Sequence, residues 1–333
     1  MKMRWFYTCK TKLMLLNNRL LTAAFSVLLF TSYAQQDKLV THFMFDKMSI
    51  NPGKTGIDMY NGICATSIYR NQWDKVNGAP NSTILNIESN LSRFFPGGVG
   101  INFYNDAIGF ARQNTVLLNY SYPIQIGRTG VLGVGVGLGI MNYGIDPVWV
   151  TPNGLPAAQD PSIPTGFAAT TFDANFGLYF QAKNYYAGFS TTHLSESDLS
   201  ADPTNLSLSF QTARHYYLMG GYIFKDAFGT GNNIDAQMLV RTDLVEFSVD
   251  LNARYMLDLG GNPAYGGLTF RTSDAIAIMA GYSPFPNFNF GYSYDININQ
   301  LASISRGSHE MMVKYCYFLP PPPKTKARHP RWL

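Results

Sequence analysis

Long segments in which apolar and polar residues alternate constrain this chain more than any other feature. From Glu246 to Leu257, every odd-numbered residue is apolar and nearly every even-numbered one is polar. Residues 115–122, 288–297 and 308–317 repeat the scheme. A period of two is that of a β-strand with one apolar and one polar face. The pattern therefore predicts an all-β protein.

Segment length and composition favour a barrel in a membrane over a soluble β-sandwich. The segments run to about 9–13 residues, which suits a tilted strand crossing a bilayer, whereas soluble strands average about 5–6. The chain holds 21 Tyr and 23 Phe but only 14% charged residues, as a lipid-facing surface with an aromatic girdle requires. We therefore predict a transmembrane outer-membrane β-barrel of antiparallel strands, with its apolar faces outward.

The number of segments predicts both the strand count and the orientation. About fourteen segments can be counted, at 59–73, 78–92, 97–107, 111–122, 129–143, 167–181, 184–193, 213–225, 232–242, 246–257, 264–272, 275–283, 288–296 and 308–319. An even number returns both ends of the barrel to one side, and bacterial barrels carry their long loops outside. The long connections 144–166, 194–212 and 297–307 are all odd-numbered, so we expect both termini in the periplasm.

The ends of the chain lie outside the barrel segments. Basic residues, an apolar stretch at 20–30 and Ser32-Tyr33-Ala34 predict a signal peptide over 1–34, cleaved after Ala34. That stretch is too short to be a membrane anchor, which needs roughly 20 apolar residues. We expect a periplasmic segment at 35–58, the barrel at 59–319 and a Pro-rich basic tail at 320–333.

Glycine at every second position marks one strand as a place of close approach. The residues are Gly133, Gly135, Gly137 and Gly139. They lack the GxGxxG form, and no Walker lysine follows, so a nucleotide loop is excluded. Strand glycines often let another backbone come near. We expect an inserted loop or the mature N-terminal segment to fill the lumen there.

Two cysteines remain after the predicted cleavage, Cys64 and Cys316. Barrel closure makes the first and last strands neighbours, and alternation points both side chains inward. They would form either a disulfide in the oxidising periplasm or two small buried thiols at different heights. We favour the thiols. No Cys/His spacing indicates a metal site.

The charged residues predict structure instead of catalysis. An inward ion-pair network is expected from Glu246, Asp250, Arg254, Asp295, Glu310 and Lys314. His193 with Ser195 is the nearest approach to a nucleophile and base, and it only opens an external loop. We predict no enzyme activity and no cofactor. The net charge of +4 lies mostly in the leader and the tail, so nucleic acid is not a predicted partner.

The C-terminal tail combines a stiff spacer with charge. Four prolines from Pro320 favour an extended polyproline segment. The residues that follow offer candidate contacts to a periplasmic partner or the cell wall: Lys324, Lys326, Arg328, Arg331 and Trp332. A solvated, disordered terminus is the alternative.

Several short motifs, in order along the chain, resemble the PorP/SprF family of type IX secretion system membrane proteins. They include HFMFDKMSINPGKTG from His42, YRNQW from Tyr69, RHYYLMGGYIF from Arg214 and GSHEMMVKY from Gly307. The family's usual alanine and aromatic after Asn51-Pro52 are Gly53 and Lys54 here. The motif positions we single out are Asn51, Pro52, Gly56, Arg70, Asn71, Gln72, Trp73, Arg214, His215, His309 and Glu310.

The resemblance implies an outer-membrane barrel that serves secretion and, in gliding Bacteroidetes, attachment of large adhesins to the cell surface. One branch partners the C-terminal secretion domain of an adhesin, and another connects to periplasmic components of the machine. We lean toward adhesin anchoring, with Trp149 and Pro152 of the first long loop as candidate contacts. The alternatives are a passive outer-membrane channel or uptake porin and an outer-membrane hydrolase.

Overall fold

The computed structural model describes residues 38–57, 62–90, 96–146, 166–197 and 211–319. The predicted signal peptide and tail fall outside these ranges. So do the candidate partner contacts Trp149, Pro152, Lys324, Lys326, Arg328, Arg331 and Trp332.

Fourteen antiparallel strands within the described residues form a closed barrel. Each strand pairs with its neighbours in sequence, and the first pairs with the last. The strands are β1 Gly62–Asn71, β2 Asn81–Asn90, β3 Gly98–Ile108, β4 Ala111–Ile126, β5 Gly130–Ile145, β6 Phe167–Gln181, β7 Tyr185–Thr192, β8 His215–Phe224, β9 Asn233–Thr242, β10 Phe247–Leu259, β11 Asn262–Arg271, β12 Ala275–Tyr282, β13 Phe288–Asn297 and β14 Ser308–Phe318. The predicted barrel class and strand count are confirmed.

The barrel wall is inside out relative to a soluble protein. On β10, Asp250 is 0% exposed while its neighbour Leu251 is 49% exposed. Leu118 and Leu268 are likewise exposed on the outside. Strand alternation places these side chains outward, where lipid and not water is the solvent. Glu246 departs from the prediction, because it precedes β10 and lies exposed in the turn instead of facing the lumen.

The two ends of the barrel differ in their connections. All the long connections, including that between β13 and β14, lie at the end where β1 finishes and β14 begins; we call it the long-loop end. The opposite, short-turn end holds the start of β1 and the end of β14. Its turn between β10 and β11 consists of Gly260 and Gly261, both at positive φ (67° and 94°), which a two-residue hairpin turn favours.

The two cysteines correct one expectation. Cys64 of β1 lies directly opposite Cys316 of β14, and the two form a disulfide. The prediction of separate thiols at different heights was wrong. The register of closure sets the heights, and it cannot be read from either strand alone. The bond covalently joins the first and last strands.

Residues 38–57, which we call the plug, lie inside the barrel. The plug contains one helical turn, Lys47–Ile50, and a 3₁₀ turn, Pro52–Lys54. No helix in the described ranges is long and apolar enough to cross a membrane.

Candidate functional site: the occupied lumen

The plug is anchored in the lumen by an apolar cluster. Phe43 and Ile50 of the plug are almost fully buried against inward side chains of the wall. The wall contributes Tyr179, Tyr186, Tyr217, Met219, Leu239, Tyr265 and Met279. A purely polar, water-filled lumen would not carry such residues. This part of the wall therefore binds a segment of the same chain.

The predicted motif residues Asn51 and Pro52 lie where the plug contacts the backbone of the barrel wall. The Asn51 amide donates to the carbonyl oxygens of Leu178 (2.9 Å) and Phe189 (3.3 Å), and its Oδ1 accepts from the N–H of Gly53 (2.9 Å). These bonds satisfy a buried side chain that would otherwise be costly. Asn51 thus ties the plug to β6 and β7.

Two of the four alternating glycines of β5, Gly133 and Gly135, contact the plug. A Cβ on Gly133 or Gly135 would overlap the backbone of Pro52 and Gly53. A Cβ on Gly53 would in turn lie 2.9 Å from the carbonyl oxygen of Gly133. Only glycine on both sides permits this approach, so the contact requires Gly53 as well as Gly133 and Gly135. Gly137 and Gly139 face atoms of β4 instead.

Glu310 holds the plug backbone at the other side of the lumen. Its two carboxylate oxygens accept the N–H groups of Thr41 (2.8 Å) and His42 (2.6 Å), and Oε1 also contacts His42 Nδ1 (2.7 Å). Charge-assisted bonds of this kind are about twice as strong as neutral ones. One wall carboxylate therefore fixes two successive plug residues.

Arg70 binds both Glu310 and the plug. Its guanidinium donates to Asp295 Oδ2 (2.7 Å), Glu310 Oε2 (3.1 Å) and Thr41 Oγ1 (3.0 Å). All four side chains are buried. Arg70 and Glu310 are direct partners across β1 and β14, so barrel closure joins the YRNQW and GSHE motifs. Of the predicted inward network, Asp295 and Glu310 therefore bind the plug, whereas Asp250 and Arg254 pair with other wall residues.

The short-turn side of the plug has its own charged pair. Lys54 Nζ donates to Glu88 Oε1 (2.6 Å), and the N–H of Gly56 donates to Glu88 Oε2 (2.9 Å). Gly56 has φ +67° and packs against the backbone of Ser89 and Gly98, so a side chain there would be both strained and obstructed. Glu88 therefore binds the plug through both the Lys54 ammonium and the Gly56 backbone.

Asp46 of the plug is only partly satisfied. Its Oδ1 accepts from the Asn86 amide (2.5 Å), but its Oδ2 has no partner among the described residues.

The remaining predicted motif residues lie at or near the long-loop end. Asn71 pairs with His309 across β1 and β14. The N–H of Trp73 donates to Ser308 Oγ (3.1 Å), and the N–H of Gln72 donates to the Pro80 carbonyl (2.9 Å). These contacts order the first connection against the start of β14. They are structural bonds at the rim, away from the plug.

Arg214 and His215 lie at the rim where β8 begins. Arg214 forms an exposed pair with Glu196 (3.4 Å). His215 is buried, and its ring lies edge-on to that of His193, with centroids 6.1 Å apart. The two residues therefore shape the β7–β8 side of the mouth.

The two residues considered for a hydrolase, His193 and Ser195, are not hydrogen-bonded to each other. His193 Nδ1 lies 3.0 Å from Asp173 Oδ2, whereas the Ser195 hydroxyl donates to the Phe172 carbonyl (3.0 Å). A nucleophile needs hydrogen-bond contact with its base. No group of three or more His, Cys, Asp or Glu in the described part of the chain is arranged to hold a metal.

Comparison with protein families gives a match over most of the chain. The family model described as type IX secretion system membrane protein PorP/SprF matches residues 32–315. None of the curated proteins compared matches the chain.

Solved structures share the barrel architecture at low identity. The CymD monoaromatic hydrocarbon channel aligns with TM-score 0.51 at 12% identity, covering 83% of this chain and 93% of that one. The Ralstonia pickettii toluene transporter TbuX aligns with TM-score 0.51 at 10% identity, covering 83% and 94%. At this identity the likeness concerns the fold alone.

Proposed function

Since the chain belongs to the PorP/SprF family of type IX secretion system membrane proteins, we propose that it is a non-enzymatic outer-membrane barrel supporting secretion or cell-surface anchoring of large adhesins. In this proposal the long-loop end faces outward and binds the secreted partner. The tail at 320–333 docks to periplasmic components of the machine.

The occupied lumen is the observation that supports this function best. Glu310 and Glu88 of the wall hold the plug through its backbone, the Asn51 side chain of the plug donates to wall carbonyls, and apolar side chains of the plug pack against the wall. A barrel filled by its own chain leaves no passage for a folded partner. Its work must then be done by the surfaces at its two ends.

The long-loop end offers such a surface within its described part. The connection between β13 and β14 carries Ile298 (47% exposed) and Ile304 (61% exposed), both outside the strands. These side chains offer apolar area outside the lipid-facing wall that a protein partner can bury. The exposed Ile298 and Ile304 side chains are consistent with adhesin binding at this loop.

A passive channel is the competing function, because CymD and TbuX are described as a hydrocarbon channel and a toluene transporter. The filled lumen favours the anchoring function.

Serine at both Ile298 and Ile304 is expected to weaken capture of the secreted partner at least about ten-fold. Each buried aliphatic side chain contributes about 1.5–3 kcal/mol at an interface, and 1.4 kcal/mol is ten-fold in affinity. The measurement is recovery of secreted surface proteins with the intact, affinity-tagged barrel from detergent-solubilised membranes.

The matched control is Phe228→Ser, which removes an even more exposed apolar side chain (72%) from the short-turn end. It should leave capture unchanged. Equal loss in both variants, or no loss in the loop variant, would remove this loop from the partner-binding surface.

A further inference from the structure

The C-terminal side of the plug lies at the short-turn end. Gly56 is bonded to Glu88 and Asn90, at the last residues of β2. Its backbone also packs against Gly98, the first residue of β3. β1 then begins at this same end with Gly62. The plug therefore connects to the barrel wall where a periplasmic segment was expected.

The N-terminal side of the plug lies at the opposite end. Thr41 is held by Arg70, Asp295 and Glu310, each within two residues of a strand terminus at the long-loop end. The carbonyl oxygen of Lys38 accepts from Arg241, the next-to-last residue of β9. Lys38 also shares a small polar cavity with Thr192 and His193, where β7 ends at the same rim.

Together these contacts fix the direction of the plug. Followed backwards from β1, the chain enters at the short-turn end and reaches the long-loop rim by residue 38. The expected cleavage after Ala34 leaves only residues 35–37 beyond it, a span of about 10 Å when extended. That length is far too short to return through the filled lumen.

We propose that the mature N-terminus emerges at the long-loop end, on the opposite side of the membrane from the tail. This differs from the expectation that both termini are periplasmic. Combined with the orientation proposed above, on which this step rests, residues 38–40 lie at the partner-facing end. Only the C-terminal tail then remains to contact the periplasmic machine.

Cysteine at position 36 tests the inference in the full chain on living cells. Cys64 and Cys316 are bonded to each other, so an introduced thiol is the reactive one after the leader is removed. A membrane-impermeant maleimide is applied to intact and to permeabilised cells. Leu244→Cys reports the long-loop end and Phe228→Cys the short-turn end, because both native side chains are highly exposed in turns.

We expect Gln36→Cys to label in intact cells to the same extent as Leu244→Cys. The inference is overturned if Gln36→Cys labels under the same conditions as Phe228→Cys. It is also overturned if Gln36→Cys does not label even after the cells are permeabilised. If Phe228→Cys labels in intact cells and Leu244→Cys does not, the proposed orientation fails. Even then, the labelling of Gln36→Cys decides the inference. Labelling like that of Leu244→Cys places residue 36 at the long-loop end, and labelling like that of Phe228→Cys places it at the short-turn end.

Discussion

Valine in place of Gly135 is expected to drive the plug out of the lumen. Its Cβ would occupy the space of the Pro52 and Gly53 backbone. Backbone cannot rotate away as a side chain can, and the adjacent Asn51 is fixed by two carbonyl oxygens of the wall. The plug must therefore give up these bonds, or the strand must distort.

Two measurements on the folded, purified barrel detect the displacement. Trypsin should cut after Lys47 and Lys54, both within the plug, and Lys54 is buried in the intact protein. Planar bilayers should show open-pore current for the variant and little for the intact chain. Gly266→Val is the control, since a Cβ there meets nothing within 4 Å. A protease-resistant, closed Gly135→Val barrel would show that the plug is not held against β5.

Methionine in place of Arg70 is expected to cost about 3–5 kcal/mol in the free energy of unfolding. It removes the guanidinium between Asp295 and Glu310, and loss of one partner from a buried ion pair leaves uncompensated charge. Arg271 and His42 still contact these carboxylates, which favours the lower part of that range. Urea titration of the refolded barrel measures the change.

Two further variants separate charge from packing in this result. Adding Glu310→Gln to Arg70→Met removes one of the stranded charges and should restore part of the lost stability. Arg214→Met breaks only an exposed pair and should show no measurable change. A stable Arg70→Met barrel would mean that the buried network contributes little to folding.

The sequence predicts the strands well because their signal is local. Alternation within β10 is visible in its own residues, and its observed bounds, Phe247–Leu259, lie close to the predicted 246–257. Membrane strands strengthen that signal, because every second side chain must face lipid.

What the sequence leaves open depends on contacts between distant segments. The bond between Cys64 and Cys316 and the pairing of Arg70 with Glu310 both follow from the closing register of β1 and β14. The bare face of β5 predicts a close neighbour but not which one. The structure identifies it as the backbone of Pro52 and Gly53.

The most direct test of the proposed function is the amount of large secreted adhesin on cells that lack this chain. We predict that synthesis continues while the adhesin is lost from the surface, and that the intact chain restores it. Unchanged surface adhesin, secretion and motility in the deletion strain would contradict a role in secretion or anchoring.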